Sequence, residues 1–418
     1  MKFRTFYFCC ILIFAFALQF LYSEDNYLNI NQTDSLFLSN NYALLASKFN
    51  IQASKALELQ AELYPNPNLS MSFNSFAFDN SKFLNVNKLG QRAFSIDQLI
   101  LLGGKHSSLI DIAKENSKTA QLQFEDVIRN LKYQIHISFY TLQSQNILLK
   151  NYNSQLLLLD TIITSFQVQA NKGNIPMKDV VRLKSTYLKI NNDNAELAQR
   201  NNEEIKKLKI LLQDSRNITP LIDENVFNKY TVEPQLENLL SLALANRPDK
   251  KIVDQTITLS KLNLNFQESM AIPDVSFNLT LDHNGGYFQD QILFGLSVPI
   301  PIWNRNQGNI ESAKQMQTVS EYQSKQKKVE VTAEIQEAYA NMKRSIFEYN
   351  KAKKLYTNDF EIVLNGESDN FQKRNISLIE FVDFIESYND AIAEFQRIYV
   401  QLVTSAEKIN YLTAFNVY

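Results

Sequence analysis

The chain has 418 residues, 45% of them hydrophobic, and a formal net charge of −2. That length admits two or three ordinary domains or one large architecture. Near-neutral charge, with Lys and Arg spread along the chain, excludes the basic face of a nucleic-acid binder. With only 9 Gly and 9 Pro, little sequence is left for loops, so long regular elements are expected.

The first 23 residues read as a secretory signal: Lys2 and Arg4 precede an apolar run from Phe6 to Leu21, ending near Tyr22-Ser23-Glu24. Cys9 and Cys10 lie inside that run and are the only cysteines, so the exported chain would form no disulfide. Neither follows the small residues of a lipoprotein signal. Beyond it, "LYPNPNLSMSFNSFAF" (63–78) and "FSIDQLI" (94–100) alternate apolar and polar residues, as strands at about 69–78 and 92–101. "LLGGKHSS" (101–108) superficially resembles a phosphate loop, but Leu99 stands where the first Gly is needed and His106 follows the Lys. Gly103 and Gly104 are better read as a strand-to-helix bend.

Helices follow, at about 105–170 and 177–213. Phe124, Ile128, Leu131, Ile135, Phe139 and Leu142 step by three and four, the narrow stripe of a coiled-coil seam. At 1.5 Å per residue the first helix would be roughly 100 Å long. A linking helical region at 226–268 is broken at Asn246-Arg247-Pro248-Asp249. Then strands recur at about 274–283 and 291–300: Val275, Phe277, Leu279 and Leu281 alternate with Ser276, Asn278, Thr280 and Asp282. Pro299 and Pro301 cannot donate ladder hydrogen bonds and bend the chain. Asn304, Asn306 and Gly308 tolerate unusual backbone angles and can cap the next helix. Trp303, the single tryptophan, suits a membrane boundary. Helices at about 309–365 and 377–413 complete the chain, with Val331, Ile335, Ala338, Met342, Ile346 and Tyr349 repeating the stripe. The histidines (His106, His136, His283) are scattered, form no zinc-type grouping, and read as ordinary surface or interface residues.

This order says everything twice, about 200 residues apart. "NKGNIPMKDVVRLKSTY" (171–187) aligns without gaps to "QKRNISLIEFVDFIESY" (372–388), and the strand pairs and their bends correspond likewise. Two repeats, 24–225 and 269–418, flank the linking region 226–268. The expected fold class is mainly α with a small β part. Four strands of membrane length cannot close a barrel, and an open sheet edge cannot sit in lipid. Three copies would give twelve strands, an even number within the known range of barrels.

The stretches "YPNPNLS" (64–70), "LLGGK" (101–105) and above all "VPIPIWNRNQGNIESA" (298–313) resemble the TolC-like outer-membrane efflux proteins, within them the heavy-metal cation efflux branch (the CzcC and CusC group). The resemblance covers roughly residues 35–415. It implies a homotrimeric channel-tunnel in the outer membrane of a Gram-negative bacterium, extending into the periplasm. Four strands per chain would complete a 12-stranded barrel, continued by a coiled-coil α-helical barrel. It implies a periplasmic adaptor protein and an inner-membrane RND-type pump as partners, with outer-membrane lipid around the barrel. No enzyme activity, cofactor or nucleic acid is implied. The cargo would be heavy-metal cations, or alternatively drugs or a type I secretion substrate. The helical hairpin tips would form the periplasmic aperture, lined by Asp179, Glu380 and Asp383. Three copies would make rings of carboxylates that attract cations and raise one another's pKa. Arg374 stands where the family usually has Gly at the second tip, near enough in sequence to latch an acid such as Asp179. A secreted coiled-coil scaffold or adhesin is the reading of another class, but it needs no strand pair at equivalent points of a duplication.

Overall fold

The computed structural model describes residues 26–74, 76–77, 82–83, 90–221, 224–284, 288–355 and 359–418. The signal sequence at 1–23 and the two glycines of the turn "HNGG" (283–286) lie outside the described residues. Strand β1 (Asn26–Leu28) leads into α1 (Ile30–Asn40) and α2 (Tyr42–Ala61). Asn29 starts α1 with a reciprocal cap, accepting from the Gln32 N–H while the Gln32 side chain accepts from its own. Next come β2 (Asn68–Phe73), the short β3 (Phe76–Ala77) and β4 (Lys82–Phe83), and β5 (Gln91–Ile100). Helices α3 (Lys105–Asn171) and α4 (Met177–Leu212) form the first long pair. The linking region holds β6 (Ile218–Pro220), a 3-10 helix (Glu224–Thr231), α5 (Leu236–Asn246) and α6 (Pro248–Ser269). Pro248 falls at the first position of α6, where its missing N–H costs nothing. Strands β7 (Val275–Asn284) and β8 (Phe288–Ser297) precede α7 (Gln307–Leu355), α8 (Asp359–Gln372) and α9 (Leu378–Thr413).

Two differences from the sequence reading have local causes. Strand β8 stops at Ser297 rather than residue 300, because Pro299 and Pro301 lack the N–H that pairing requires. The helix expected at 309–365 is two described helices, α7 and α8, and α8 runs on to Gln372. Sequence periodicity also passed over α1, α2 and the parallel β1–β6 pair.

The chain forms two compact units that each draw on both repeats, since α3 and α7 contribute to both. One comprises described residues up to Leu45 with 127–247 and 331–418. Its larger core takes the whole second stripe (Val331, Ile335, Ala338, Met342, Ile346, Tyr349), closed by Phe139 of α3, Leu239 of α5, and Leu402, Ala406 and Ile409 of α9. Ile135, Phe139 and Leu142 of the first stripe are buried, whereas Phe124, Ile128 and Leu131 are only half-buried. Narrow buried stripes on long helices indicate that packing, more than helix propensity, holds these helices.

The other unit, residues 46–126 and 248–330, holds a four-stranded antiparallel sheet of order β2-β5-β7-β8. Strand β5 pairs with β7 from Gln91↔Asn284 to Ile100↔Val275, joining the strands of the two repeats. The two outer strands, β2 and β8, each have one neighbour within the sheet.

Candidate functional site

The register sorts the sheet into two faces. Ser70, Ser95 and Thr280 lie in one cross-strand row, and Asp97 and Asn278 in the next. These polar residues bond one another: the Ser70 and Ser95 hydroxyls are 2.7 Å apart, and Asn278 Nδ2 donates to Asp97 Oδ1 at 2.7 Å. The opposite face carries Leu69, Met71, Phe94, Ile96, Leu279, Leu281, Ile292 and Phe294 in the alternate rows. Along β7 the apolar residues Phe277, Leu279 and Leu281 are exposed while Ser276, Asn278, Thr280 and Asp282 are half-buried. Ile292 and Phe294 are 69% and 71% exposed. A sheet covered by a core of its own would have the opposite pattern. A continuous exposed apolar face marks a surface made to meet lipid or another protein.

The first strand-to-helix joint ties to the segment that leads into β7, and the second to the last turn of α6. At the first, Gly103 and Gly104 have φ of 70° and 81°. A side chain on Gly103 would also meet Ile272 Cδ1 at 2.8 Å, so both backbone and space demand glycine. Lys105 is buried and donates to the Ile272 carbonyl and to Asp274 Oδ1, each at 2.5 Å. Asp274 Oδ1 accepts in addition from the Leu102 N–H. At the second joint Asn306 has φ of 60°, and its Nδ2 donates to the Gln267 carbonyl at 2.7 Å. Pro299 and Pro301 occupy the unpaired stretch between β8 and α7. Gly308 is not part of the bend: it is the second residue of α7, without positive φ, because Asn306 supplies the left-handed turn. Trp303 is 86% exposed beside exposed Ile300 and Ile302, so it is no core residue.

The helical tips repeat one conformation. Gly173 has φ of 75° and Arg374, its aligned counterpart, φ of 62°. Asn174 Nδ2 donates to Gln169 Oε1, as Asn375 Nδ2 does to Asn370 Oδ1. A left-handed non-glycine residue costs about 1–2 kcal/mol, so Arg374 holds a strained position that Gly173 holds freely. Asp179 and Glu380 are both the third residue of their helices, α4 and α9. A carboxylate there stabilises the helix start by facing its partial positive charge. Glu380 goes further and closes a capping box, its Oε2 accepting from the Ser377 N–H at 2.8 Å. The Ser377 backbone and hydroxyl hold the Glu380 carboxyl below the usual carboxylate range, opposite in direction to the rise expected of a carboxylate ring. Asp383 and Arg374 are exposed. The latch expected between Arg374 and Asp179 is not formed within the chain among the described residues. What joins the tips is aromatic: Phe371 stacks on Phe381 at 4.3 Å and on Phe166 at 5.4 Å, and Lys189 pairs with Glu386 at 3.2 Å. The sequence reading missed this stack, although Phe166, Phe371 and Phe381 all flank the aligned tips.

Among the described residues, no group of three or more His, Cys, Asp or Glu side chains could hold a metal ion, and no helix is long and apolar enough to cross a membrane. His136 and His283, expected at the surface or an interface, are buried within the chain, each facing carboxylate.

No family model matches the chain. A cobalt-zinc-cadmium resistance protein, CzcC of Cupriavidus metallidurans, is 23% identical over 288 residues, 67% of this chain. The match spans 64% of that relative's length. Among solved structures, CusC is similar with a TM-score of 0.72 at 15% identity, over 93% of this chain and 91% of that one. The Campylobacter jejuni CmeC outer-membrane channel gives 0.72 at 14%, over 93% and 86%. A membrane protein from Pseudomonas aeruginosa gives 0.72 at 13%, over 92% and 90%. The resemblance carried by residues 64–70, 101–105 and 298–313 therefore extends over nearly the whole backbone, and the chain has the TolC-like channel-tunnel fold.

Proposed function

We propose that this chain is the outer-membrane channel component of a tripartite efflux system, a passive exit duct rather than an enzyme. The observation that carries the reading is the sheet: Phe277, Leu279, Leu281, Ile292 and Phe294 stand exposed while the polar residues of β7 (Ser276, Asn278, Thr280 and Asp282) are half-buried. Such a sheet cannot rest in water alone, and its open edges at β2 and β8 cannot rest in lipid alone. Three copies joined edge to edge answer both demands with a twelve-stranded barrel, apolar outside and polar towards the lumen. The chain would then lie in the outer membrane of a Gram-negative bacterium and reach into the periplasm. An adaptor protein and an RND-type inner-membrane pump would deliver the cargo and supply the energy.

Heavy-metal cations are the cargo favoured, since the relative named above is a cobalt-zinc-cadmium resistance protein. Under this reading Asp179, Glu380 and Asp383 form the periplasmic aperture, where threefold repetition would make each a ring that favours cations. The duplicated third-helix-position placement of Asp179 and Glu380 supports a common location, and the capping box of Glu380 would persist within the ring. Deleting the gene and measuring growth against zinc, cobalt, copper, silver and hydrophobic drugs tests the cargo. Selective metal sensitivity is expected; sensitivity to drugs alone would replace metals with drugs. For the aperture, Glu380→Ala with Asp383→Ala should lower cation preference in planar bilayers. Unchanged selectivity removes both from the aperture.

A further inference from the structure

The unit formed by described residues up to 45, 127–247 and 331–418 buries a charged cluster that transport leaves unused. His136 of α3 is 7% exposed. Its Nε2 is hydrogen-bonded to Asp34 Oδ1 on α1 at 2.9 Å, and its Nδ1 lies 2.9 Å from Glu407 Oε2 on α9 as an ion pair off the hydrogen-bond line. A neutral imidazole carries one N–H, so it would turn a lone pair towards one of the two anionic oxygens. Only the imidazolium suits both contacts.

The surrounding groups are ordered to the same end. From α3, Lys132 Nζ pairs with Asp34 Oδ2 at 3.0 Å. From the 3-10 helix, the Tyr230 hydroxyl donates to Glu407 Oε1 at 3.1 Å, and the Tyr140 hydroxyl of α3 is 3.1 Å from it. From α9, Asn410 Nδ2 donates to Glu407 Oε2 at 3.2 Å. Tyr133 of α3 also feels the Glu407 charge, with Tyr411 stacked on it and the cations of Lys408 and Arg129 over these rings.

We propose that His136 is an imidazolium clamp that pins α1 to α3 and α9 at neutral pH, and that alkali, not mild acid, opens it. Burial alone would push the imidazole down, but the Asp34 hydrogen bond and the charges of Asp34 and Glu407 outweigh it and carry its pKa up to about 9. A raised folded pKa gives stability that is complete below the unfolded value of 6.5 and lost as pH rises through about 9. Burial opposes the charge of Asp34 and Glu407 too, yet His136 holds both below their ordinary values. Their contribution is therefore lost only when pH falls through those lowered values. The imidazolium is therefore kept across the neutral range, while the stability it adds falls steadily from pH 6.5 to about 9. Helix α1 has 11 residues, too short to persist alone, so releasing it means local unfolding of 30–40 despite Phe37 and the short β1–β6 pairing.

The test uses the full-length protein in detergent with its histidine rings labelled. Three histidines give three signals, and His136 is identified as the one lost in His136→Gln. The His136 signal should stay at the imidazolium position past about pH 8 and move only near pH 9. Asp34→Asn should bring that midpoint down by about one unit or more. In parallel, hydrogen exchange of segment 30–40, corrected for intrinsic rate, should rise by about tenfold or more between pH 6.5 and pH 9.5 in the parent, and should already be raised at pH 6.5 in His136→Gln. A His136 midpoint below about pH 8, or exchange of 30–40 in the parent that does not change between pH 6.5 and pH 9.5, overturns the proposal. Should His136→Gln fail to fold, the Asp34→Asn shift both identifies the signal and decides the matter.

Discussion

Single residues at the joints and tips carry backbone conformations that their neighbours cannot relieve. Gly103 combines a φ of 70° with Ile272 Cδ1 in the place of a side chain. Gly103→Ala should therefore cost about 1–2 kcal/mol from the backbone alone, and more from the displaced Ile272. Gly308→Ala, inside α7 with open space around it, should instead stabilise by about 0.5–1 kcal/mol. Thermal unfolding of the two variants beside the parent separates them by sign; equal effects would mean that the second joint also bends at its glycine. Arg374→Gly should relieve the strain at the second tip by about 1 kcal/mol, read as slower hydrogen exchange across 370–378. Faster exchange there would mean that the arginine side chain holds the tip by contacts outweighing its backbone strain.

At the scale of elements, the tip of α9 depends on its reciprocal cap. Ser377→Ala removes the hydroxyl that receives the Glu380 N–H and should cost the helix start about 1 kcal/mol. Because Glu380 is held below its usual pKa, the cap is complete above about pH 4.5 and weakens as pH falls through the lowered value. Exchange of amides 378–382 should rise on acidification in the parent and be insensitive to pH over that range in Glu380→Gln. The elements were largely legible because strands and helices here keep strict periods. Val331 to Tyr349 announced a buried stripe, and Phe277 to Leu281 announced an alternating strand. What escaped reading depends on contacts distant in sequence. Nothing near His136 signals that Asp34 and Glu407, 102 residues before it and far along α9, close on its two nitrogens. Likewise Asn306 reaches Gln267, 39 residues back, and so takes the turning role that Gly308 seemed suited to by residue type. Repeat alignment points to the acids at the tips, but the capping box of Glu380 follows from helix bounds that alignment does not supply.

At the scale of the whole molecule, the apolar face of the sheet is either a lipid surface or an unexplained liability. Phe294→Arg places a charge in that face and should cost about 2–4 kcal/mol if the position lies at the middle of a bilayer. Ser72→Lys, on the polar face, should cause no comparable loss of assembled protein. Folded yield in membranes measures both, and equal yields would mean that the two faces are not distinguished by lipid. The central claim, that this face sits in the outer membrane, has a more direct test. Membranes of cells producing the full chain are separated by density and washed with carbonate. The account predicts that the protein fractionates with the outer membrane and stays in the pellet. Release into the carbonate wash would contradict it.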